Sequence, residues 1–348
     1  PCALSLATPA AMLAAAGALA RRGVLVRRLQ AVETLAAVDT VVFDKTGTLT
    51  RDAFALARST TRADVQSADA LAWAAALARQ SLHPVSRALV AAAEAARLPA
   101  LRAEAVQEVS GQGLSGRVGL GPGDGFDVRA LRLGSAVFCG LPRSAADGLE
   151  VCLADEEGWI ATFELREDLR EDAGSTIQWM VGHGLDVRLL SGDGAAAVAR
   201  VAEAVGIEAA RGGCSPQDKL AFLREAQAQG RKVAMIGDGL NDGPGLAGAH
   251  ASFAFGKAVP LAQSQADFVV MGEQLAAVGQ TLQLARRTMR IVRQNLWWAA
   301  AYNAVCVPLA VVGWLPAWLA GLGMALSSLA VVLNALRLST GLEPMEQT

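Results

Sequence analysis

Seven residues, Asp44-Lys45-Thr46-Gly47-Thr48-Leu49-Thr50, follow the apolar run Val41-Val42-Phe43. A short apolar run of this kind reads as a buried parallel strand. Asp44 then stands at the carboxyl end of that strand, where open α/β sheets place their chemistry. A carboxylate there can attack a phosphoryl group and become an acyl phosphate. The residue two positions on decides the fate of that intermediate. A second carboxylate would protonate the leaving group and later activate water, but this position holds Thr46, which offers no such acid or base near neutral pH. The acyl phosphate is expected to persist, which suits a protein that turns phosphorylation into a change of shape.

Further strand ends repeat the theme. A strand at Val187–Leu190 leads to Ser191-Gly192-Asp193, where the Ser191 hydroxyl can hold a phosphoryl oxygen. Pro216-Gln217-Asp218-Lys219 starts a helix, and the Lys219 ammonium can neutralise charge on a transferring phosphoryl group. Val233–Ile236, read as the last strand, runs into Gly237-Asp238-Gly239-Leu240-Asn241-Asp242-Gly243-Pro244. Two carboxylates four apart on a glycine-rich loop suit a hard, oxygen-seeking ion. A helix is expected from Glu167 to about His183.

Between Thr50 and Leu165 the pattern changes. Residues 64–97 read as two Ala-rich helices broken near Ser81-Leu82-His83-Pro84. Strand-prone segments follow over Val106–Phe138 and Val151–Leu165, with Asp155-Glu156-Glu157-Gly158 as a hairpin turn. This is an inserted α+β module. Its Gly111-Gln112-Gly113-Leu114-Ser115-Gly116 run lacks side chains where backbone amides could approach an anion.

The 348 residues have room for two or three domains. The net charge of −2 gives no reason to expect a nucleic-acid partner, and the five cysteines have no zinc-type spacing. The 53% hydrophobic content is concentrated at the ends. Residues 1–20 carry no charge and are followed by Arg21, Arg22, Arg27 and Arg28. Gln294–Leu336 is again uncharged, preceded by Arg286, Arg287, Arg290 and Arg293 and closed by Arg337. That stretch has room for two spans of ~20 residues, with Gly313-Trp314-Leu315-Pro316 as the turn. The arginines put the middle of the chain in the cytoplasm by the positive-inside rule. Polar residues inside such spans are costly and point to function. They are Tyr302-Asn303, and Met324, Ser327 and Ser328 on one helix face. Pro9 and the opening Pro1-Cys2 unwind a helix locally and turn a thiol toward a bundle interior. Met324 alone would read as core filler, and Cys306 as packing.

DKTGTLT and the later GDGxNDxP resemble the phosphorylation and hinge motifs of P-type ATPases, a membrane-pump branch of the haloacid-dehalogenase-like superfamily. The resemblance covers essentially the whole chain. It implies an α/β fold: a doubly wound parallel-sheet phosphorylation domain with an inserted nucleotide-binding domain and transmembrane helices at both ends. The division is residues 1–20 (part of a metal-site span), 21–37 (stalk), 38–51 and 166–280 (phosphorylation domain) and 52–165 (nucleotide-binding domain). Residues 281–294 form a second stalk, 295–313 and 315–336 the last spans, and 337–348 a cytoplasmic tail. It implies ATP and Mg²⁺ as cofactors. Asp44, Thr46 and Asp238 would hold Mg²⁺, with Asp242 beside the phosphoryl group. His83 with Pro84, Gly111, Gly113 and Gly134 would contact the nucleotide, although Ala78 and Ser135 depart from the family pattern.

Pro1-Cys2-Ala3-Leu4-Ser5-Leu6-Ala7-Thr8-Pro9 resembles the Cys-Pro-Cys-Ala-Leu-x-Leu-Ala-Thr-Pro signature of the heavy-metal (P1B-type) pumps, minus its first Cys. Tyr302-Asn303 and Met324-x-x-Ser327-Ser328 match the copper(I) subgroup. The resemblance makes Cys2, Tyr302, Asn303, Met324 and Ser328 the transport site, and sulfur ligands favour Cu(I). It implies a bacterial inner-membrane protein in contact with membrane lipid. The partners it implies are the N-terminal part of the pump, with its actuator domain and earlier spans, and a cytoplasmic copper chaperone. Three other readings stay open: a membrane-tethered phosphatase of the same superfamily, a truncated non-transporting nucleotide- or metal-binding module, and a Zn(II) or Co(II) pump.

Overall fold

The computed structural model of the chain describes residues 2–119, 128–142, 149–237, 242–256 and 260–339, without the side chains of residues 2, 52–53 and 260–262. The first helix, α1 (Cys2–Ala20), carries Pro9 and no charge. The helical stalk expected over 21–37 is not observed. Gly23 adopts φ +75°, which ends the helix, and β1 (Val24–Val26) follows as an edge strand before the short α2 (Gln30–Ala36). β2 (Thr40–Phe43) is buried throughout and leads into an irregular loop, Lys45–Leu49.

The chain then leaves for a second unit, Thr50–Leu169. It consists of β3 (Thr50–Thr61), α3 (Ser67–Ala78), α4 (Pro84–Ala95), β4 (Ala103–Val109), β5 (Gly113–Gly119), β6 (Val128–Gly134), β7 (Leu149–Asp155) and β8 (Gly158–Leu169). The strands form one antiparallel sheet in the order β3-β8-β7-β6-β5-β4. α3 and α4 cover it through Leu77, Leu89, Leu114, Leu131, Leu153 and Phe163. α3 lies close to the sheet because it is rich in alanine on every side, and Ala70–Ala78 is buried.

The boundary differs from the expected 52 and 165. β3 and β8 stay paired out to Thr50 opposite Leu169, so residues 167–169 are strand and the helix expected from Glu167 begins only at Ala173.

The first unit resumes with α5 (Ala173–Gly182), β9 (Asp186–Leu190), α6 (Ala195–Val205), β10 (Ala209–Arg211), α7 (Pro216–Ala228), β11 (Val233–Ile236) and α8 (Gly243–Gly248). Val233–Ile236 is not the last strand: β12 (Ala251–Phe255), α9 (Pro260–Gln265) and β13 (Phe268–Val270) follow. The seven-stranded sheet has the order β1-β13-β12-β11-β2-β9-β10, parallel except for β1 against β13. β2 lies between β11 and β9, so the loops after three adjacent strands gather around Asp44. α7 and α8 pack one face through Leu223, Ala226 and Leu246.

α10 (Ala276–Val311) is one continuous 36-residue helix, and α11 (Ala317–Leu336) returns after a turn in which Gly313 has φ +80°. α10 packs against α2 and α5 near its start and against α1 and α11 further on. Ala3, Ala7, Ala299 and Val331 form the seam of this helix group, small residues that let backbones approach. Two of the described helices are long and apolar enough to cross a membrane, Ala3–Ala20 and Ala317–Leu336. The span expected over 295–313 is the uncharged half of α10, continuous with the stalk. Asn295, Tyr302 and Asn303 leave it less apolar than the other two. Asn295 is buried, accepting from Asn334 Nδ2 at 2.8 Å and donating to the Val331 carbonyl at 3.3 Å.

Candidate active site

The site begins where β2 ends. The Asp44 amide donates to the Ile236 carbonyl at 2.8 Å, extending the β2–β11 pairing by one bond and fixing the carboxylate at the sheet's edge. The chain then turns sharply. Thr46 is extended (φ −74°, ψ 130°), and Gly47 takes φ +69°, a conformation that favours glycine.

A residue to which the sequence assigned no role holds this turn. Buried Arg170 donates from Nε to the Thr48 carbonyl at 2.6 Å and from Nη2 to the Gly47 carbonyl at 2.7 Å. Its third nitrogen, Nη1, reaches the Glu273 carbonyl, and the guanidinium lies 4.2 Å from the Phe255 ring centroid. Arg170→Lys keeps the charge but cannot match a planar fork to three carbonyls. It is expected to cost about 2 kcal/mol in chemical denaturation, since buried acceptors would lose charged donors. A denaturation midpoint equal to wild type would refute this role.

Lys219 reaches the site from the first turn of α7. Ser215 caps that helix, accepting from the Asp218 amide, while the Asp218 carboxylate accepts from the Ser215 amide, and Pro216 occupies the first turn. This start directs Lys219 Nζ between two carboxylates: it bonds Asp44 Oδ1, and Asp242 Oδ1 at 2.7 Å. All three groups are buried. Burial and the neighbouring Asp242 charge push the Asp44 carboxyl up to about 6, against the opposing pull of Lys219. For Lys219 burial acts downward, but the two carboxylates prevail and hold the ammonium above its ordinary value.

A second cluster adjoins the first. The buried Lys45 Nζ sits 2.5 Å from Asp193 Oδ2, which also accepts from Ser191 Oγ at 3.2 Å and Thr46 Oγ1 at 3.4 Å. Burial raises the Asp193 carboxyl, but these donors outweigh it and leave it below its usual range. Asp193 was legible as the third residue of Ser191-Gly192-Asp193. Its role was not, because nothing in the sequence pairs it with Lys45.

Of the expected phosphorylation residues, Asp44, Thr46, Ser191, Lys219 and Asp242 come together here. Asp238 and Asn241 lie outside the described residues. Two buried carboxylates sharing one ammonium leave negative charge and hard oxygen donors in excess, which fits a divalent cation.

The expected nucleotide residues lie in the second unit. His83 caps α4, its Nδ1 accepting from the Val85 amide at 3.3 Å. Ser81 Oγ accepts from the His83 amide and donates to Glu108 at the end of β4, so the His83 turn and the β4–β5 turn share one end of the sheet. Gly111 occupies that turn at φ +70°. Gly113 and Gly134 face each other across β5 and β6 under the Phe138 ring. A Cβ on Gly113 would stand 2.4 Å from the Leu133 carbonyl.

Among the expected transport residues, the Tyr302 hydroxyl packs on Gly323, the neighbour of Met324, and its side chain interacts with Cys306. Met324 is 46% exposed, Asn303 and Ser328 are half-buried, and Ser327 accepts from Trp298 Nε1 at 3.2 Å. The Cys2 side chain lies outside the described part of the structure.

Comparison with known proteins agrees with this geometry. Residues 38–250 match the family model described as haloacid dehalogenase-like hydrolase. The chain is 40% identical over 350 residues to "Probable copper-transporting ATPase SynA" of Synechococcus sp., covering 97% of this chain and 43% of that protein. It is 39% identical to "Nitrogen fixation protein FixI" of Bradyrhizobium diazoefficiens, covering 97% of this chain and 45% of that one. The chain thus spans less than half the length of these relatives. A crystal structure of a zinc-transporting PIB-type ATPase in its E2.Pi state superposes with a TM-score of 0.84 at 29% identity, covering 98% of this chain and 56% of that one. With the motifs, the sheet order and these likenesses in agreement, the chain is similar to the C-terminal part of P-type ATPases and belongs to the haloacid dehalogenase-like hydrolase family.

Proposed function

We propose that the chain is the phosphorylating and nucleotide-binding part of an ATP-driven heavy-metal cation pump, with Cu(I) as its cargo. The observation that carries this is the buried Asp44–Lys219–Asp242 group at the end of the central strand, with Thr46 where a hydrolase would need a second carboxylate. Asp44 is ionised near neutral pH and attacks the γ-phosphorus of ATP. One Asp44 oxygen forms the new P–O bond as the bond to the ADP oxygen breaks. Lys219 offsets the charge on the transferring group, and the Ser191 hydroxyl donates to one of its oxygens. Mg²⁺, held by Asp44, the Thr46 carbonyl and Asp238, would supply charge neutralisation for the same transfer. His83, Gly111, Gly113 and Gly134 serve the nucleotide.

The cargo reading rests on Cys2 and Met324 with Tyr302, Asn303 and Ser328, and on the copper named for the Synechococcus relative. The similar zinc-transporting structure favours a second reading, Zn(II). Sulfur donors and the lack of any Lys or Asp between 294 and 336 weigh for copper. The whole pump would add the actuator domain and earlier spans, take copper from a cytoplasmic chaperone, and sit in a bacterial inner membrane with both catalytic units cytoplasmic. The test is ATPase activity of the intact pump against Cu(I), Zn(II) and Co(II). Cu(I) alone should stimulate, and Met324→Ile should remove most of that stimulation while leaving phosphorylation of Asp44 intact. Stimulation by Zn(II) alone would overturn the copper assignment and leave the phosphorylation chemistry standing.

A further inference from the structure

The arginines bordering the apolar helices meet in space. α1 ends in Arg21-Arg22, α10 carries Arg287 and Arg290 ahead of its uncharged half, and α11 ends in Arg337. Arg21 Nη2 reaches the Ser339 carbonyl at 3.5 Å, and Arg287 Nη2 donates to the Arg337 carbonyl at 3.0 Å. Arg22 Nη1 is buried without a hydrogen-bond partner. Among the described residues neither Arg21 nor Arg22 has a carboxylate within ion-pair distance. Burial, then Arg21 and Arg287, depress the Arg22 guanidinium below its ordinary value. Arg21 and Arg22 thus stand together without a carboxylate among the described residues, and one buried donor is unused. Such an arrangement is costly unless an anion completes it.

Its level in the molecule identifies the anion. The cluster lies at the last turn of a helix apolar enough to span a bilayer. Trp297 and Trp298 follow Arg293 by one turn and are 77% and 53% exposed, as aromatic side chains are at the headgroup level. We propose that Arg21, Arg22 and Arg287 form a binding site for the headgroup phosphate of an anionic phospholipid. Basic recesses between spanning helices take such headgroups, and Arg22 Nη1 supplies the buried donor. The site requires that α1 and α11 lie in a bilayer but not that copper is the cargo. Extraction of the chain from membranes by alkaline carbonate would expose a failure of the bilayer reading separately.

The test is native mass spectrometry of the full chain in detergent with equal amounts of phosphatidylglycerol and phosphatidylcholine. One phosphatidylglycerol should be retained in preference. Arg21→Gln and Arg22→Gln should each weaken retention about five-fold, the factor expected for one basic residue at an anionic surface. Arg200→Gln, on the exposed face of α6, should leave it unchanged. Equal retention of the two lipids overturns the proposal, as does wild-type retention by the double variant. Displacement of phosphatidylglycerol by millimolar inorganic phosphate also overturns it, and assigns the site to free anions. If a variant fails to fold, the wild-type preference and its decline with added salt decide.

Discussion

Asp44→Asn is expected to leave no acid-stable radiolabel after incubation with Mg²⁺ and γ-labelled ATP, while making the metal-free chain more stable above pH 6. The first effect follows from chemistry, because an amide cannot form the acyl phosphate. The second follows from linkage. Burial and Asp242 raise the Asp44 carboxyl from 3.8 to about 6, so the folded chain binds this proton more tightly than the unfolded chain. Wild-type stability should therefore fall as pH rises from 3.8 to about 6 and level off above, whereas the amide of the variant has nothing to ionise. The variant's advantage should be about 3 kcal/mol at pH 7 to 8, since each tenfold change in proton affinity is worth ~1.4 kcal/mol, and it should vanish below pH 4. Mg²⁺ should narrow the gap by stabilising wild type. Thermal melts across this range, with and without Mg²⁺, give the measurement. A wild type more stable than the variant at pH 8 without metal would contradict the arrangement described.

Lys219→Met should be the most destabilising single substitution at the site. It leaves two buried carboxylates without their shared ammonium, a change that typically costs about 3–5 kcal/mol, on the order of half of a domain's stability. The loss should depend on pH with a definite sign. Without Lys219 nothing of comparable size opposes burial and Asp242, so the Asp44 carboxyl moves higher still and ionisation near neutral pH becomes more costly. Destabilisation is then greatest at pH 8 and shrinks as Asp44 takes up a proton. Adding Asp44→Asn to Lys219→Met should restore much of the loss. Additive effects of the two substitutions would mean the groups do not interact.

The parts of this architecture visible in the sequence were those with short-range signals. β2 announced itself by an uninterrupted apolar run, and the insertion by a shift from strand-and-helix alternation to paired strands. Asp44, Ser191, Lys219 and Asp242 lie at strand ends or helix starts, so their convergence followed once the strands were ordered. Arg170 was misplaced because its role is wholly tertiary: the strand before it continues past its hydrophobic pattern, held by pairing to Thr50–Phe54. β1 was missed for a similar reason. Val24-Leu25-Val26 is too short to declare itself, and only the open edge of β13 makes it a strand. The pairing of Lys45 with Asp193, far apart in the chain, leaves no local trace.

α10 has a mechanical consequence. Its first amide donates to the Asp172 carboxylate at 2.8 Å, two residues beyond Arg170, and Arg170 also grips the Glu273 carbonyl just ahead of the helix. The loop bearing the nucleophile and the root of a 36-residue rod therefore share one anchor. At ~1.5 Å per residue the rod is about 54 Å long, so a pivot of about five degrees at its root sweeps its far tip by about 5 Å. A small adjustment beside Asp44 is therefore magnified along α10, beyond the level at which Ala3, Ala7, Ala299 and Val331 pack together.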